Sequence, residues 1–482
     1  MRKLLRTKDL SQPNIDIPAA LHDAFAAARR AYESSRMPSA AERRQSLTRL
    51  EQLLVNHREA IEAAISSDFG NRSRHETQLL EVFPALGTVR DARKHVARWM
   101  KPARAWASLW FLPARTEIRP QPLGVVGIIV PWNYPVLLAV APLAAALAAG
   151  NRVLVKMSEL TPQTSALFAR LVSEHFAADQ VTVVTGGADV AQEFSRLPFD
   201  HLLFTGSTAV GRQVMQAAAE HLTPVTLELG GKSPAIIGPE CRIDEAADKI
   251  LFGKCLNAGQ TCIAPDYVLL PRAQEQAFGV AAQRAVARLY PTLSGNRDYT
   301  SIINERHLAR LRGYMQDAAA RGASLLPLSA AGESLEGSGK IAPTLVANVN
   351  DSMRLMQEEI FGPLLPLVPY DSLDEAIRYV NARPRPLALY YFGNFDDHIQ
   401  RVLNETVAGG VSVNETLMHI SQESLPFGGV GPSGMGAYHG RFGFETFSKM
   451  KPVFHQSSLN GLHLFKPPFG KRFESLIRFL LR

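Results

Sequence analysis

The feature of the sequence that most constrains its fold is an alternation of strand and helix patterns that begins at Gly124. Short apolar and β-branched runs predict strands at Val125–Val130, Val153–Lys156, Val181–Thr185 and His201–Thr205. Each strand precedes a predicted helix, near Pro135–Ala149, Pro162–His175, Ala188–Arg196 and Gly211–Ala219. Because wholly apolar strands between helices are covered on both faces, this pattern predicts a doubly wound parallel sheet of the dinucleotide-binding kind.

Patterns on either side of this sheet predict further units. Apolar residues at helical spacing predict an outer helical layer over Ala19–Tyr32, Ala41–Asp68 and Glu76–Met100. The segment Trp106–Arg119 predicts a projecting hairpin because it contains a proline and ends in a strand-like run. A second α/β unit is predicted after Lys232, with a strand at Tyr267–Leu270 and helical segments at Ala273–Leu289 and Ile302–Arg321.

The composition is that of a folded protein with more than one domain. The chain has 482 residues, of which 46% are hydrophobic and 20% charged. Its net charge of +7 comes from 52 basic and 45 acidic residues that are interspersed, although basic residues concentrate in Met1–Lys8 and Lys466–Arg482. This charge favours a solvated surface or attraction for an anionic cofactor, and no nucleic-acid partner is predicted.

Cysteine usage and the N-terminal sequence predict a cytoplasmic protein. The three cysteines form no regular disulfide framework: Cys241, Cys255 and Cys262. Polar residues instead of an apolar run follow the basic Met1–Leu10, so no secretory signal is predicted. The uncharged stretch Pro120–Asn151 is long enough to span a membrane, but prolines interrupt it, and a buried strand and helix are predicted instead.

The turn Phe204–Gly211 lies between a predicted strand and a predicted helix. In such a turn, backbone amides and the helix N-terminus can bind a pyrophosphate. Its glycines, Gly206 and Gly211, do not have the spacing of the three-glycine Rossmann fingerprint, and glycine turns between strand and helix are common for packing reasons, so the motif taken alone is a weak signal. Both interpretations stay open at this point.

The run Asn257–Cys262 consists of small and polar residues. It predicts a flexible approach that exposes the thiol of Cys262, and an exposed thiol favours a nucleophile over a packed cysteine. Cys241 and Cys255 are predicted to be buried structural cysteines, which is the more frequent fate of free cysteines.

Six motifs together resemble the aldehyde dehydrogenase superfamily, in the order that is typical of it: Pro131–Pro135, Phe204–Ser207, Leu227–Lys232, Gly259–Cys262, Glu359–Pro363 and Pro426–Gly434. The segments Tyr438–Gly440 and Phe444–Phe447 resemble its class 3 branch. Three further segments are most similar to the coniferyl aldehyde dehydrogenases: Lys254–Cys255, Ala264–Tyr267 and Leu417–Leu425.

This resemblance implies an α/β fold with two doubly wound Rossmann-like domains and a small β oligomerisation arm. Residues 1–103 and 120–230 would form the NAD(P)-binding domain, and residues 231–435 the catalytic domain. Residues 104–119 and 436–482 would form the oligomerisation arm and a C-terminal tail. A homodimer is the implied assembly.

The resemblance also implies the catalytic roles. Cys262 would attack the aldehyde carbon, and Asn133 together with the Cys262 N–H would bind the developing oxyanion. Glu228 would activate water to hydrolyse the resulting thioester, a task that suits a carboxylate whose pKa is raised by burial. No metal site is predicted.

The cofactor implied by the resemblance is NAD, with NADP as the alternative. The residues assigned to its site are Trp132, Lys156, Glu159, Gly206, Ser207, Gly211, Glu359 and Phe361. Lys156 and Glu159 would hold the adenosine ribose, Gly206 and Ser207 the pyrophosphate, and Glu359 the nicotinamide ribose. Met157 stands where the family usually has proline, so a looser loop is expected there.

The substrate predicted from this resemblance is an aromatic aldehyde similar to coniferyl aldehyde, with medium- or long-chain aliphatic aldehydes as the alternative. Five residues are expected to shape its pocket: Tyr134, Leu138, Ile263, Met418 and His419. Two other functions are alternatives, a nucleotide-binding scaffold without turnover and a CoA-acylating dehydrogenase. Retention of Cys262, Glu228 and Asn133 argues against the scaffold, and Glu228 argues against the acylating enzyme.

The last residues, Phe473–Arg482, predict a short basic amphipathic helix. It is too short to span a bilayer, so it would dock on a partner subunit, touch a membrane surface or pack on its own subunit.

Overall fold

The computed structural model describes residues 17–329 and 333–481. Met1–Leu10, on which the prediction about a secretory signal rests, and Arg482 lie outside the described residues.

The α-helices of the described residues are α1 (Ile17–Ser34), α2 (Ala40–Asn56), α3 (Arg58–Asp68), α4 (Arg74–Thr77), α5 (Phe83–Trp99), α6 (Leu137–Ala149), α7 (Pro162–His175), α8 (Ala188–Ser195), α9 (Thr208–Ala219), α10 (Ile243–Cys255), α11 (Glu275–Leu289), α12 (Glu305–Ala320), α13 (Arg354–Gln357), α14 (Leu373–Asn381), α15 (Asp396–Glu405), α16 (Gly440–Thr446) and α17 (Lys471–Leu480).

The strands are β1 (Ala103–Ala105), β2 (Arg115–Pro122), β3 (Val125–Ile129), β4 (Arg152–Lys156), β5 (Val181–Val184), β6 (His201–Thr205), β7 (Val225–Glu228), β8 (Pro234–Ile237), β9 (Tyr267–Pro271), β10 (Ser324–Pro327), β11 (Thr344–Ala347), β12 (Leu364–Tyr370), β13 (Ala388–Phe392), β14 (Gly410–Val413), β15 (Gly434–Met435) and β16 (Ser448–His455).

The first α/β unit is a six-stranded sheet in the order β15-β7-β6-β3-β4-β5, parallel except for β15. Its strands β3 and β4 are almost entirely buried, because helices cover both faces. Helix α6 is apolar around its whole circumference, and all but one of its residues are buried. The predicted parallel sheet of the dinucleotide-binding kind is confirmed.

The second α/β unit is a seven-stranded sheet in the order β10-β11-β12-β9-β8-β13-β14. It is parallel except for the pair β10–β11. Two Rossmann-like α/β units are therefore present, as the sequence predicted. The exact domain boundaries stay a prediction, and β15 lies within the range 231–435 yet pairs with β7 of the first sheet.

The third sheet is a small antiparallel arm in the order β1-β2-β16. Strand β16 pairs with β2 over its whole length, from Ser448 opposite Pro122 to His455 opposite Arg115. The predicted hairpin corresponds to β1, β2 and the loop between them. The tip of this loop exposes Trp106 completely, and the rings of Phe111 and Phe454 meet at 6.0 Å.

The outer helical layer is present, but two of its predicted helices are interrupted. The helix predicted over Ala41–Asp68 ends at Asn56 and restarts at Arg58, because His57 leaves the helical region with φ −116° and ψ 18°. The helix predicted over Glu76–Met100 contains a π-helical turn, Gln78–Val82, before α5. None of the helices in the described part of the chain combines the length and apolarity needed to cross a bilayer.

Candidate active site

Two cavities meet at the carboxyl ends of the strands of the six-stranded sheet, and Thr205 lines both. The first is an apolar pocket whose lining includes Cys262, Glu228, Tyr134, Leu138, Ile263, Phe427 and Tyr438. The second is a longer cleft whose lining includes Trp132, Glu159, Gly206, Ser207, Val210 and His307. Ligands of open α/β sheets bind at this end of the strands, so the pair of cavities is the candidate site.

Cys262 is presented by a tightly held loop. Asn257, Ala258 and Gly259 all have left-handed backbone conformations, with φ of 51°, 50° and 74°. Only glycine suits position 259, because a Cβ there would lie 2.3 Å from the carbonyl oxygen of Gly362. The Gln260 side chain donates to Asn257 O at 2.9 Å and to a neighbouring loop. The predicted flexible approach is therefore wrong: buried hydrogen bonds fix this segment.

Cys262 lines the pocket, but it is more buried than the sequence predicted, with only a minor part of the residue accessible. Burial of the sulfur, followed by the nearby carboxyl groups of Glu359 and Glu228, raises its pKa to about 12. The backbone N–H groups of Cys262 and Ile263 act in the opposite direction by hydrogen bonding to the sulfur. Without a cation or an oriented base the thiol is thus neutral, and it needs activation to react.

Glu228 ends strand β7 and is only 2% exposed. Neither oxygen of its carboxyl group has a hydrogen-bond donor among the described residues. Burial raises its pKa well above the usual range. A buried carboxyl group that lacks partners and lines the same pocket as Cys262 has the properties of a general base.

Asn133 lies next to the Cys262 loop. Its side-chain Nδ2 donates to the carbonyl oxygen of Gln260 at 3.2 Å. Since an amide nitrogen carries two protons, one donor is left to bind a developing oxyanion. The main-chain oxygen of Asn133 accepts from Asn257 Nδ2 at 3.1 Å, which ties the two segments together.

A buried ion pair that sequence reasoning missed supports Asn133. Arg72 Nη1 donates to Glu81 Oε1 at 2.7 Å and to Asn133 O at 2.9 Å. The second oxygen of Glu81 accepts from the N–H groups of Val136 and Leu137 at 2.7 and 3.1 Å. Both charged side chains are fully buried, so they hold the turn before α6 rigidly against the outer helices.

Glu359 lies near Cys262, and Phe361 lies beside Trp132 of the cleft. The carboxyl Oε1 of Glu359 is buried and has no donor among the described residues, and burial followed by Asp266 raises the pKa of Glu359 to about 8. A Cβ at Gly230 would lie 2.1 Å from the other oxygen, so a larger residue there would displace the Glu359 carboxyl group. The ring of Phe361 meets Trp132 edge-on at 5.3 Å.

Lys156 and Glu159 lie at the end of β4. Lys156 is buried, its Nζ donates to Met157 O at 2.7 Å and to Gly186 O at 2.8 Å, and Glu159 Oε2 is 3.9 Å away. Glu159 is about half exposed at the cleft. The looser loop expected from Met157 is not observed, because Met157 is buried and its N–H donates to Val184 O at 3.0 Å, a bond that proline cannot make.

The two glycines of the turn after β6 have different surroundings. Gly206 and Ser207 line the cleft, and Ser207 caps α9 by accepting a hydrogen bond from Val210 N. Gly211 instead lies inside α9, where a Cβ would approach Leu229 to 2.7 Å. The turn thus points a helix N-terminus at the cleft, while Gly211 allows close packing of helix on strand.

The predictions about the residues that line the pocket and about the burial of the other two cysteines are each correct in part. Tyr134, Leu138 and Ile263 line the pocket as expected, whereas Met418 is exposed and His419 lies behind Phe427. The lining residues that sequence reasoning missed include Thr88, Glu423, Phe427, Tyr438 and His439. Cys255 is buried as predicted, but Cys241 is half-exposed.

The cleft and its border fit a nicotinamide dinucleotide. An anion site at a capped helix N-terminus, a half-exposed carboxylate at Glu159 and the unpaired carboxyl oxygen of Glu359 suit a pyrophosphate and two riboses.

Comparison with known proteins identifies the family. The model of the aldehyde dehydrogenase family matches residues 14–453. A probable coniferyl aldehyde dehydrogenase of Pseudomonas aeruginosa is 54% identical over 453 residues, which cover 94% of each chain.

Two solved structures resemble this fold. The substrate-bound state of Staphylococcus aureus AldH has a TM-score of 0.90 at 37% identity, covering 95% of this chain and 99% of that one. An indole-3-acetaldehyde dehydrogenase in complex with NAD+ has a TM-score of 0.83 at 26% identity, covering 91% of this chain and 89% of that one. The chain therefore belongs to the aldehyde dehydrogenase family, and its activity is the NAD(P)-dependent oxidation of an aldehyde.

Proposed function

We propose that this enzyme oxidises an aromatic aldehyde of the hydroxycinnamyl type, such as coniferyl aldehyde, to its carboxylic acid through a thioester on Cys262. The observation that carries this proposal is one pocket that contains both Cys262 and the unpaired carboxyl of Glu228 between aromatic side chains. The name of the relative from Pseudomonas aeruginosa supports the choice of substrate. Aromatic walls favour a planar ring through offset and edge-on contacts.

The chemistry divides between two groups of this chain. The Cys262 thiol first loses its proton, and the thiolate sulfur then forms a bond to the aldehyde carbon. The electron pair of the carbonyl double bond moves to the oxygen, whose negative charge Asn133 Nδ2 and the Cys262 N–H bind. Bound NAD supplies the hydride acceptor that makes the adduct a thioester. Glu228 then takes a proton from the attacking water, the acid is released, and the Cys262 sulfur leaves as a thiolate.

Eight residues are proposed to hold or border the cofactor, namely Trp132, Lys156, Glu159, Gly206, Ser207, Gly211, Glu359 and Phe361. Four of them line the cleft: Trp132, Glu159, Gly206 and Ser207. Lys156 and Glu359 contribute buried polar groups, Phe361 packs against Trp132, and Gly211 seats α9 against Leu229.

NAD is proposed as the preferred cofactor because Glu159 would repel the 2′-phosphate of NADP. We expect Glu159→Gln to raise the ratio of kcat/KM for NADP to kcat/KM for NAD about tenfold, since removing one charge removes that repulsion. The control is Glu174→Gln, which removes an exposed carboxylate that is paired with Arg170 on the surface of α7. A native enzyme that prefers NADP, or an unchanged ratio in Glu159→Gln, would contradict this role.

The substrate class is tested by the rate of NADH release with coniferyl aldehyde, benzaldehyde, hexanal and decanal. We expect kcat/KM for coniferyl aldehyde to exceed that for either alkanal by at least about tenfold, because an aromatic ring gains contacts that a flexible chain does not. A tenfold preference for the alkanals would establish the aliphatic alternative. No turnover with any aldehyde would favour a scaffold, and turnover that requires CoA would favour an acylating enzyme.

We infer that the arm, residues 104–119 with the strand at 448–455, forms a homodimer interface. Trp106, Trp110 and Phe454 are exposed on it, and exposed aromatic clusters of this kind are typical of subunit contacts. Helix α17 presents half-buried and exposed side chains, Phe479 among them. Its docking on a partner subunit or on a membrane surface, and the cytoplasmic location, stay predictions.

A further inference from the structure

We propose that Glu423, held by Thr88 and set beside His439, binds a ring hydroxyl of the substrate and so selects hydroxyaryl aldehydes over aldehydes without such a group. This inference rests on the proposed function and assigns a specificity-determining role to a part of the pocket that takes no part in the chemistry at Cys262.

Glu423 lies on the wall of the pocket, and its carboxyl group takes no part in the reaction. Thr88 Oγ1 donates a short hydrogen bond to Glu423 Oε1. A hydroxyl has one proton, and Pro84 O competes for it at 3.2 Å, so Thr88 satisfies one oxygen at most. The other oxygen, Oε2, is buried and has no donor within hydrogen-bond geometry among the described residues, although the Gly440 N–H lies near the carboxyl.

An unpaired carboxyl oxygen inside an apolar pocket is costly unless a ligand supplies the donor. Burial raises the pKa of Glu423, Asp91 acts in the same direction, and Thr88 and the Gly440 N–H oppose them. In either protonation state the free oxygen accepts hydrogen bonds. A neutral hydroxyl on the substrate is therefore a suitable partner.

The wall beside Glu423 is flat and uncharged. The ring of Phe427 lies between two imidazoles, 5.1 Å from His439 and 6.0 Å from His419, at interplanar angles of 25° and 27°. Burial lowers the pKa of His439 to about 4, and His419 adds to this effect, so His439 is neutral at physiological pH. Nδ1 of His439 is also buried without a partner.

These features select for a planar ring that carries a hydroxyl. Phe427 and His439 place aromatic rings on the wall of the pocket, and Glu423 places an acceptor on the same wall. An alkanal offers neither a ring nor a donor. A site that is built to bind a substrate hydroxyl discriminates strongly against the analogue that lacks it, because the protein group is then left unpaired.

The test compares coniferyl aldehyde with its O-methylated analogue, 3,4-dimethoxycinnamaldehyde, under identical conditions. We expect the native enzyme to prefer the hydroxyl compound by at least about tenfold in kcat/KM. Glu423→Leu, which keeps similar bulk but removes the acceptor, should bring this ratio close to one. Glu423→Gln keeps an acceptor oxygen and should retain part of the preference.

The controls address folding and the position of the carboxyl. Glu445→Gln removes a surface carboxylate that is paired with Arg441 at 2.7 Å, and its ratio should equal that of the native enzyme. If Glu423→Leu does not fold, Thr88→Val tests the same idea. Without the Thr88 hydroxyl, the Glu423 carboxyl group is no longer held in position, so the preference for the hydroxyl compound over its O-methylated analogue should fall.

Two outcomes would overturn the inference, and a third separates it from the proposed function. A native enzyme that oxidises both cinnamaldehydes equally, or a Glu423→Leu variant that keeps the native ratio, removes the role of Glu423 while the aromatic substrate class stands. A native enzyme that oxidises decanal tenfold better than either cinnamaldehyde shows instead that the proposed function itself has failed.

Discussion

Replacing Cys262 with alanine is expected to reduce aldehyde-dependent NADH release by a factor on the order of 10⁴ or more, because no covalent adduct forms without the thiol. Cofactor binding should survive, since the cleft at Gly206 and Ser207 is separate from the pocket except for their shared wall at Thr205. Steady-state absorbance at 340 nm measures the first effect, and titration of NAD by quenching of tryptophan fluorescence measures the second.

The matched control for this experiment is Cys241→Ala. Cys241 is half-exposed and donates only a weak 3.7 Å hydrogen bond to the carbonyl oxygen of Arg242, so its loss should leave turnover within about twofold of the native rate. If the Cys262→Ala variant keeps more than a hundredth of the native turnover, another nucleophile carries the reaction. Loss of activity in Cys241→Ala would instead indicate that thiol substitutions act through stability.

The parallel sheet was predictable because its signal is local. Each strand from β3 to β6 is a short, largely apolar run followed by a helix. Burial on both faces imposes that composition on β3, β4 and β6, whereas the edge strand β5 is only partly buried. The residues Cys262, Glu228 and Asn133 were recognisable because the motifs that carry them, Gly259–Cys262, Leu227–Lys232 and Pro131–Pro135, resemble those of the aldehyde dehydrogenase superfamily.

The support around these residues was not predictable from local patterns. Arg72 lies in the loop between α3 and α4, and Glu81 lies in the π-helical turn before α5. In such outer segments a charged side chain usually indicates a solvated surface. These two side chains are buried only because tertiary packing brings them to Asn133 and the start of α6. Similarly, the approach to Cys262 consists of small residues that suggest flexibility, yet distant carbonyl groups fix its left-handed backbone.

The polar end of the pocket illustrates the same limit. Thr88 and Glu423 are far apart in sequence and lie on α5 and on the loop before β15. The resemblance indicated the segment Leu417–Leu425 as a whole, but it pointed to Met418 and His419 instead of Glu423. Which side chain of such a segment faces the pocket depends on loop conformation, and Leu417 has a left-handed φ of 66° that no periodicity predicts.

The second large effect is expected from Glu228→Gln, which should stop the reaction between its two halves. Attack by Cys262 and oxidation of the adduct need the nucleophile and the oxyanion donors, whereas hydrolysis needs a base. The variant should therefore release about one NADH per active site in a rapid burst and then turn over at least about a hundredfold more slowly than the native enzyme. Intact-mass analysis should find the acyl group, and peptide mapping should place it on Cys262.

The pH dependence supplies an independent test of the same role. The base is the deprotonated carboxylate, and burial raises the pKa of Glu228 well above its usual range, so the native hydrolysis rate should rise with pH through that raised pKa. Glutamine does not titrate, so the slow turnover of Glu228→Gln should lack this rising limb. If Glu228 also helps to deprotonate the Cys262 thiol, the burst itself will be slower, but its amplitude will stay near one. Native turnover in Glu228→Gln, or a burst without an acyl group on Cys262, would show that a different base or a different nucleophile carries the chemistry.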